Sequence, residues 1–482
     1  MPSQKQETQF LLKQKSATPA NPASVTYINS SSSDSEDDDD QHERAYRMKV
    51  KLEPTSKLKQ SSSRRRRHQI HRGARRIGRI VLWTLLLPTF LFILYLPLYS
   101  DVHSRSAPLP GWSLNTSRHM PDYVLPDTNT TIIEPHNLCH EKIFILIVVC
   151  SSVQNFATRQ IIRETWGNTT QFNYDKFSEM HAHLNKNYLN PTIERIKYYS
   201  EFLKIDKNDT IMPDTVPIKV VFLVGRNEPD IMIGNETVNA LIHKEAQQYQ
   251  DIIQEDFTDT YNNLTLKSVM ALKWITKHCL GKVAFFMKSD DDTFVHVPNL
   301  IHFLLGGTIP LYNNTLDMHD LKSYEVLSAR NRLNKTNNYL TGHLFCTSRP
   351  IANITSKWYM PYYMYPEDKY PRYLSGAGYM MSMDVVPRLY DMSLNTSFIY
   401  LEDVYLTGMC AEKLNIPRVH QPLFSYNRAT EWCSFKGSIT QHELKDDSLL
   451  DAYAFVANVS NRCRPPNKYF KLLRLRKNSN CV

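Results

Sequence analysis

The sequence lacks the features that usually mark zinc clusters and nucleic-acid-binding surfaces. Its eight cysteines include no Cys-x-x-Cys pair, which argues against a zinc cluster. Residues 1–79 hold 17 Lys and Arg against 9 Asp and Glu, a net charge of +8, whereas the whole chain has +9, which leaves about +1 (9 − 8) for residues 80–482. The basic character therefore belongs to the N-terminal tail and does not indicate a nucleic-acid-binding face.

Residues 80–99 contain no charged side chain and no polar face. A stretch of this length is enough to cross a hydrocarbon core of ~30 Å as a helix. Eight arginines lie between residues 64 and 79. By the positive-inside rule, this asymmetry predicts a membrane anchor over 80–99 with the N-terminus in the cytosol. A cleaved signal peptide is the alternative, but it would begin near residue 1 and be shorter.

Two further features agree with a luminal C-terminal part. No cysteine precedes residue 139, as expected if the side beyond the anchor is oxidising. Eleven Asn-x-Ser/Thr sequons follow the apolar stretch and only Asn29 precedes it, which indicates glycan exposure on the far side. Eight cysteines permit too many pairings for the connectivity to follow from the sequence.

Composition divides the chain into regions. Residues 1–79 have too little apolar content to order and are predicted to form a disordered cytosolic tail. Residues 100–138 hold five prolines and no long periodic pattern, which predicts an extended luminal stem. A globular domain is predicted over residues 139–482, with an insertion over about 168–217.

The globular part predicts an α/β fold with a mostly parallel sheet. Apolar runs at 142–150, 218–224 and 283–287 have the length of buried strands. Helices are predicted between them, at 158–166 and where apolar residues recur at helical spacing: Leu266, Val269, Met270 and Trp274. The polar, Tyr- and Lys-rich stretch 168–217 is predicted to be an inserted surface segment.

An acidic triplet, Asp290-Asp291-Asp292, directly follows the third predicted strand. Ligands of open α/β sheets bind beyond the carboxyl ends of the strands, so the triplet lies where a site is expected. In extended backbone, Asp290 and Asp292 point to one side and Asp291 to the other. Adjacent carboxylates favour a hard cation, Mg²⁺ or Mn²⁺, which in turn suits a diphosphate. A solvated acidic turn is the alternative interpretation.

A second carboxylate pair, Glu402-Asp403, fits two roles. Asp403 can cap a helix N-terminus, and the same position keeps a carboxylate ionised, as a general base requires. Glu402 is the next candidate for the base. The segment 370–379 packs aromatics around two glycines, which fits either a surface for a sugar or uracil or a tight turn.

Taken in order along the chain, these segments resemble the β1,3-glycosyltransferase family, which includes β1,3-galactosyltransferases, β1,3-N-acetylglucosaminyltransferases and, more distantly, Fringe. The matching segments span about residues 141–430 and are 159–167, 222–226, 251–267, 288–292, 357–359, 370–379 and 402–404. The joint match is far more specific than any one motif.

The resemblance implies a GT-A-like nucleotide-sugar-binding fold, a UDP-sugar donor, Mn²⁺ and inversion at the anomeric carbon. By position, it implies that Asp292 binds the metal directly, together with Asp290. It places Asp290 and Asp291 near the ribose and the donor sugar, and makes Asp403 the general base.

The resemblance also suggests that three cations, Arg159, Arg163 and Lys267, face the nucleotide. For Arg163 a buried ion pair is the alternative, because arginine favours such pairs. Fringe-like members have a metal-binding histidine after the base, and the position aligned with it here is Asn427. The last metal ligand is therefore left open.

The function implied by the resemblance is transfer of galactose from a UDP-sugar to the 3-hydroxyl of a glycoprotein or glycolipid acceptor, in a β1,3 linkage. The protein is then expected to be a single-pass type II Golgi membrane enzyme with a luminal catalytic domain. Galactose is favoured by residues around Ser375 and by 402–405; N-acetylglucosamine and N-acetylgalactosamine are alternatives. A catalytically silent glycan- or partner-binding glycoprotein is the non-enzyme alternative, and the intact acidic triplet and Asp403 argue against it.

Overall fold

The computed structural model describes residues 81–96, 105–184, 188–207, 213–312 and 332–465. Within the predicted membrane anchor, residues 81–96 form a helix, and the rest of 80–99 lies outside the described residues. Among the described residues, none of the helices combines the length and apolar character needed to cross a membrane. The predicted cytosolic tail also lies outside the described residues.

Strands and helices alternate along the domain. The described strands are β1 (Thr131–Ile133), β2 (Ile143–Cys150), β3 (Ile218–Arg226), β4 (Met232–Ile233), β5 (Glu236–Thr237), β6 (Ile252–Thr258), β7 (Val283–Asp290), β8 (Phe294–Val295), β9 (Leu340–Phe345), β10 (Tyr373–Ser382), β11 (Arg418–His420) and β12 (Thr440–Gln441). The helices from residue 105 onward are α1 (Pro121–Val124), α2 (Phe156–Glu164), α3 (Asp175–His181), α4 (Ile193–Tyr198), α5 (Ser200–Leu203), α6 (Val238–Tyr249), α7 (Leu264–His278), α8 (Val297–Leu304), α9 (Val385–Leu394), α10 (Ala411–Lys413), α11 (Trp432–Lys436) and α12 (Asp447–Ala457). A π-helical turn (Val404–Cys410) precedes α10, and a 3₁₀ turn (Tyr261–Asn263) precedes α7.

Eight strands form one sheet in the order β1-β6-β3-β2-β7-β10-β9-β11. The central strands β6, β3, β2 and β7 pair in parallel, whereas β10 runs antiparallel to both β7 and β9. All eight residues of β2 are buried, with Leu146 and Val148 in one core cluster and Ile145 and Ile147 in the other. A continuous apolar run needs cover on both faces of the sheet. The predicted α/β fold with a largely parallel central sheet is confirmed.

Strand register brings the acidic triplet next to the glycine-containing strand. Cys150 of β2 lies opposite Asp290 of β7, so both parallel strands end at the same edge of the sheet. On the other side of β7, Gly378 and Tyr379 of β10 lie opposite Ser289 and Lys288. The candidate site therefore forms where β2, β7 and β10 meet.

Residues 105–138, predicted as an extended stem, lie against the domain instead. Met120 and Val124 are fully buried. Trp112 stacks on Phe398 with ring centroids 3.7 Å apart, and β1 extends the sheet as an antiparallel edge strand beside β6. These apolar anchors are irregularly spaced among prolines, which is why no periodic pattern revealed them.

The predicted surface insertion, residues 168–217, supplies part of the core in its described portion. Its short helices α3, α4 and α5 bury Phe177, Ile196 and Leu203 in the same cluster as Phe144 and Phe285 of the sheet. The insertion is polar on average because its helices are short and only one side of each packs inward. It is therefore a structural layer on one face of the sheet.

Disulfides join distant parts of the domain. Cys139 is bonded to Cys279, which follows α7, and Cys433 of α11 is bonded to Cys463 beyond α12. Cys346 is also disulfide-bonded. Bonds of this kind persist in an oxidising compartment.

Candidate active site

Three side chains that can bind a metal ion lie close together at the end of β7. Carboxylate oxygens of Asp290 and Asp292 and an imidazole nitrogen of His442 all lie within 4.8 Å of one another. His442 follows β12, whose Gln441 pairs with Phe294 just beyond the triplet. The short β8–β12 ladder thereby carries the imidazole to the carboxylates. Two carboxylates and one imidazole form a donor set that suits Mn²⁺.

The hydrogen bonds of His442 set its ring orientation. Its Nδ1 lies 3.0 Å from the carbonyl oxygen of Tyr426, and its Nε2 lies 3.1 Å from Oδ1 of Asp292. With Nδ1–H donating to the carbonyl, Nε2 faces the ligand set: in the protonated ring it donates to Asp292, and in the neutral ring its lone pair would be free for a metal ion. Burial lowers the pKa of His442, but the hydrogen bond and charge of Asp292 outweigh burial and raise it.

Sequence reasoning missed His442 and considered Asn427 in its place. The structure brings His442 into the set with Asp290 and Asp292. A histidine between Gln441 and Glu443 follows no motif spacing. Only the pairing of β12 with β8 reveals it.

Asp291 turns away from the metal-ligand set. Its Oδ2 accepts hydrogen bonds from Ser151 Oγ and Asn155 Nδ2, both at 2.8 Å, in the loop between β2 and α2. Burial raises the pKa of Asp291, and the two hydrogen bonds partly offset it. The expected alternation along the triplet therefore describes these side chains: Asp290 and Asp292 share a site and Asp291 has its own.

The guanidinium of Arg159, expected to face the nucleotide, is fully engaged within the domain. It is completely buried. Its N–H groups donate to Glu245, to Ser151 Oγ and to the carbonyl oxygens of Ser152 and Val153. These contacts use all five donors of an arginine, so none remains for a ligand. In this structure Arg159 shapes the β2–α2 loop that holds Asp291.

The other two expected nucleotide-binding cations are also held in ion pairs. Arg163 lies 2.7 Å from both Glu245 and Asp251, the buried pairing considered for it from sequence. Lys267 Nζ lies 2.7 Å from Asp259 and is 4% exposed. Both cations therefore stabilise the loops around the site through these ion pairs.

Lys288 links the acidic triplet to the second carboxylate pair. Its buried Nζ lies 2.5 Å from Asp290 Oδ1, 2.5 Å from the carbonyl oxygen of Gly376 and 3.6 Å from Glu402 Oε2. Burial lowers the pKa of Lys288, but the charges of Asp290 and Glu402 outweigh it and raise the pKa. The ammonium therefore stays charged and compensates two carboxylates in an apolar setting.

Glu402 and Asp403 have different environments although they are adjacent. The side chain of Glu402 is 1% exposed and accepts the Tyr379 hydroxyl at 2.6 Å. Asp403 is half-buried and accepts the backbone N–H groups of Val404 at 2.8 Å and Gly376 at 3.2 Å. Loss of hydration, followed by the charge of Glu402, raises the pKa of Asp403 to about 7. Asp403 is also the N-cap of the π-helical turn, which is one of the two roles predicted for it.

Aromatic side chains surround Asp403. Burial raises the pKa values of Tyr261, Tyr373 and Tyr400, and the charge of Asp403 raises them further. The Trp358 side chain lies close enough to the Tyr261 hydroxyl to lower the pKa of that hydroxyl. Trp358 and Tyr261 are 49% and 47% exposed, so their faces are available to a ligand. Such faces can carry the apolar side of a sugar ring.

The sequence profile of the galactosyltransferase family matches residues 157–331 and 322–422. The chain belongs to this family. As a member of the galactosyltransferase family it is a glycosyltransferase, and the matched region contains the acidic triplet, Lys288, Glu402 and Asp403. His442 lies beyond the matched residues, which agrees with its absence from the recognised motifs.

Similar proteins include several named β1,3-glycosyltransferases. Beta-1,3-galactosyltransferase 1 of Mus musculus is 29% identical over 366 residues, which cover 74% of this chain and 89% of that protein. Lactosylceramide 1,3-N-acetyl-beta-D-glucosaminyltransferase A of Danio rerio is 32% identical over 321 residues, 66% of this chain and 67% of that protein. Beta-1,3-galactosyltransferase 2 of Mus musculus is 30% identical over 338 residues, 69% of this chain and 63% of that protein.

Proposed function

We propose that this galactosyltransferase-family member transfers galactose from UDP-galactose to the 3-hydroxyl of an acceptor glycan, with inversion, on a GT-A-like fold. The observation that carries the proposal is a carboxylate with a pKa of about 7, Asp403, next to a separate set of metal-type ligands. Lys288 joins the two through Asp290 and through Gly376, whose N–H group contacts Asp403. In such an arrangement the metal-ligand set can stabilise a charged leaving group, and Asp403 can accept a proton.

On the donor side, Asp290, Asp292 and His442 fit Mn²⁺ by their chemistry and proximity. A divalent cation held there would neutralise the negative charge of the diphosphate. Asp291 keeps the neighbouring β2–α2 loop in place through Ser151. These residues account for recognition of a nucleoside-diphosphate sugar.

On the acceptor side, Asp403 acts as the general base. It takes the proton of the acceptor hydroxyl as that oxygen forms a bond to the anomeric carbon. The bond from this carbon to the β-phosphate oxygen breaks, and UDP leaves with the electron pair. Attack from the opposite face converts an α-linked donor into a β-linked product. Glu402 cannot fill this role because its carboxylate is buried against Lys288 and Tyr379.

The names of the relatives support galactose as the transferred sugar. Two of the three relatives described above are β1,3-galactosyltransferases, and similarity to them covers 74% and 69% of this chain. N-acetylglucosamine is the second candidate, because the relative with 32% identity is named as an N-acetylglucosaminyltransferase. The acceptor in both cases is a glycan of a glycoprotein or glycolipid.

The decisive experiment offers the purified full-length chain UDP-galactose, UDP-N-acetylglucosamine or UDP-N-acetylgalactosamine with Mn²⁺ and sugar-terminated acceptors. The readouts are UDP release and the linkage of the product. We expect acceptor-dependent UDP release, largest with UDP-galactose, and a β1,3 product. Absence of acceptor-dependent release with every donor would identify a catalytically silent glycoprotein.

We also propose that the enzyme is a type II membrane protein of the Golgi, anchored by residues 80–99, with its catalytic domain in the lumen. The arginines before residue 80 and the eleven sequons after it support this orientation. The disulfides of the domain support an oxidising compartment.

A further inference from the structure

We propose that residues 105–120, here called the strap, position the acceptor-binding side of the site and so set the affinity for the acceptor without affecting the donor. The inference rests on the proposed function and adds a specificity-determining element to it. Its basis is that both exposed aromatic residues beside the base, Trp358 and Tyr261, lie on segments that the strap holds in place.

Arg105 fixes the loop of residues 357–365, here called the aromatic loop. The guanidinium is 7% exposed, and its Nε donates to the carbonyl oxygen of Met360 at 2.9 Å while Nη2 donates to that of Tyr365. The carbonyl oxygen of Arg105 accepts the N–H of Tyr362 at 2.7 Å. A single strap residue thus contacts three backbone positions along the loop.

Tyrosine side chains of the aromatic loop in turn end on the strap. Tyr359 Oη donates to the carbonyl oxygen of Ala107 at 3.1 Å. Tyr363 Oη accepts the N–H of Leu109 at 3.0 Å and donates to the carbonyl oxygen of Trp112. The loop contains no helix, and its only β-type pairing is an isolated bridge at Tyr359. Its conformation therefore depends on these tertiary contacts.

The strap also holds the 3₁₀ turn that carries Tyr261. Trp112 Nε1 donates to the carbonyl oxygen of Asn262 at 3.2 Å and to Asn263 Oδ1 at 3.0 Å. Asn262 Nδ2 donates back to the carbonyl oxygen of Pro110 at 3.0 Å. The turn and the aromatic loop are far apart in the sequence, and the strap contacts both of them.

These contacts converge beside the proposed base. Tyr400 Oη donates to the carbonyl oxygens of Lys357 and Tyr359, at 3.1 and 2.6 Å. Trp358 lies between these two residues in the chain, and its side chain lies close to the Tyr261 hydroxyl. The strap contacts described above all end on the aromatic loop or on the 3₁₀ turn, and none of them ends on the acidic triplet. Loosening the strap is therefore expected to disturb the acceptor surface and leave the donor site in place.

The test replaces Arg105 in the full-length chain. Arg105→Met keeps the aliphatic part of the side chain but removes both hydrogen bonds to the aromatic loop. We expect the KM for the acceptor to rise about tenfold, since displacement of a positioning element by about 1 Å has effects of this order or larger. The KM for the UDP-sugar and the Kd for UDP with Mn²⁺ are expected to stay within about twofold of wild type. Arg105→Lys retains a charged donor and should recover part of the acceptor affinity.

Lys273→Met is the matched control. Lys273 is also a buried cation that binds backbone carbonyls of the N-terminal segment, those of Val124, Leu125 and Thr128, and these contacts lie away from the aromatic loop. We expect this variant to melt earlier with an unchanged KM for the acceptor. Tyr363→Phe removes one strap contact with less risk to folding and should raise the acceptor KM in the same direction as Arg105→Met.

Two negative outcomes are distinguishable. If the wild-type chain transfers sugar and the Arg105 and Tyr363 variants differ from it only in melting temperature, as Lys273→Met does, the strap is structural and the inference is wrong. If the wild-type chain shows no acceptor-dependent UDP release with any donor, the proposed function itself fails.

Discussion

At the scale of single residues, Glu402 and Asp403 show how neighbouring carboxylates acquire different roles. Lys288 and Tyr379 neutralise and hydrogen-bond Glu402, whereas Asp403 receives two backbone N–H groups and keeps part of its surface exposed. A base must be both accessible and close to neutral in pKa. Of this pair, Asp403 alone meets both conditions.

The first prediction concerns the rate of Asp403→Asn. Asparagine keeps the shape, but its single amide oxygen can accept only one of the two N–H groups, those of Gly376 and Val404, and it cannot take a proton. Because general-base assistance is worth roughly 10² to 10⁴-fold, we expect kcat to fall at least about a hundredfold while UDP binding stays near wild type. For the wild type, kcat/KM should rise with pH up to about 7, where Asp403 ionises, and then level. A variant with normal turnover would make Asp403 a helix cap only.

The second prediction is that the same variant is more stable than wild type at alkaline pH. The pKa of Asp403 is raised from 3.8 to about 7, so between these values the folded chain keeps a proton that the unfolded chain has released. The contribution of Asp403 to stability therefore falls as pH rises through this window. The amide of the substituted asparagine does not titrate, so Asp403→Asn should gain roughly 2–4 kcal/mol relative to wild type at pH 8.

Urea unfolding with a metal chelator present, at pH 5 and pH 8, measures this difference. Glu402→Gln is the control, because it removes a carboxylate that compensates buried Lys288 and should destabilise the fold. If both variants lost the same free energy of unfolding, the ionised Asp403 carboxylate would not be destabilising the wild-type fold.

The third prediction concerns His442. His442→Ala leaves two carboxylates in the metal-ligand set, so the Mn²⁺ concentration for half-maximal activity should rise by at least about tenfold, while activity at high Mn²⁺ is largely restored. His119→Ala is a matched control, because His119 also pairs with an aspartate, Asp122 at 2.8 Å, on the exposed surface. An unchanged Mn²⁺ dependence would place the third ligand elsewhere.

At the scale of elements, local pattern predicted the sheet and the triplet but not the parts that converge on them. β2 is a continuous apolar run and β7 begins with one, 283–287, so their burial and the position of the triplet near a strand end follow from the local pattern. His442 depends on β12, a two-residue strand placed only by its partner β8. A strand this short carries no periodic signal.

The strap escaped prediction for a related reason. Its anchors, among them Arg105, Trp112 and Met120, are separated by prolines. Met360, which Arg105 contacts, and Phe398, on which Trp112 stacks, lie more than a hundred positions later in the chain. A proline-rich segment without a periodic apolar pattern has the composition of an extended stem, so its packing against the domain cannot be predicted from that composition. Ion-pair partners are equally invisible locally, which is why Arg159 was expected at the nucleotide although Glu245 binds it.

The fourth prediction concerns the insertion, where a buried histidine joins it to α8. His302 Nδ1 lies 2.5 Å from the hydroxyl of Tyr174, and its Nε2–H donates to the carbonyl oxygen of Leu189 at 3.0 Å. Burial lowers the pKa of His302 to about 3, well below its value of 6.5 when exposed. Between these values the unfolded chain binds the extra proton, so the contribution of His302 to stability is full above pH 6.5 and is lost as pH falls.

The measurement compares wild type with His302→Asn by urea unfolding at pH 7 and pH 5. The variant should be less stable at pH 7, and the difference should shrink by about 2 kcal/mol at pH 5, because each pH unit below about 6.5 removes about 1.4 kcal/mol from the wild type alone. Contributions of groups common to both chains, such as Asp403, cancel in the difference. A gap that does not depend on pH would mean that His302 is protonated in the folded chain.

At the scale of the whole molecule, sequons and disulfides restrict how the chain reaches its fold. N-glycans are attached through the amide nitrogen of asparagine, so each sequon that is used must leave room for a glycan at that atom. Asn353 is exposed, and its Oδ1 accepts hydrogen bonds from within the sequon, from Thr355. Asn263 instead lies between the strap and the aromatic side of the site.

The last prediction is that Asn263 carries no glycan in the folded enzyme although it lies in a sequon. Its Nδ2 donates to the carbonyl oxygen of Thr258 at 2.8 Å, and its Oδ1 accepts Trp112 Nε1 at 3.0 Å. The sequon hydroxyl, on fully buried Thr265, donates to the carbonyl oxygen of Ile399. A glycan on Nδ2 would have to fit beside the Thr258 carbonyl oxygen, on a side chain that Trp112 also holds through Oδ1, so a chain modified there should not complete the fold.

Expression in a secretory-pathway host, followed by endoglycosidase digestion and peptide mass spectrometry, tests this expectation together with the luminal orientation. Asn353→Gln should lower the apparent mass by one glycan, whereas Asn263→Gln should leave it unchanged. Because the Asn263 amide also orients Trp112, Asn263→Gln should raise the acceptor KM as the strap variants do, although no glycan is lost. An active enzyme with a glycan on Asn263 would show that the strap can leave this turn, and a chain without any glycan after residue 100 would place the domain outside the lumen.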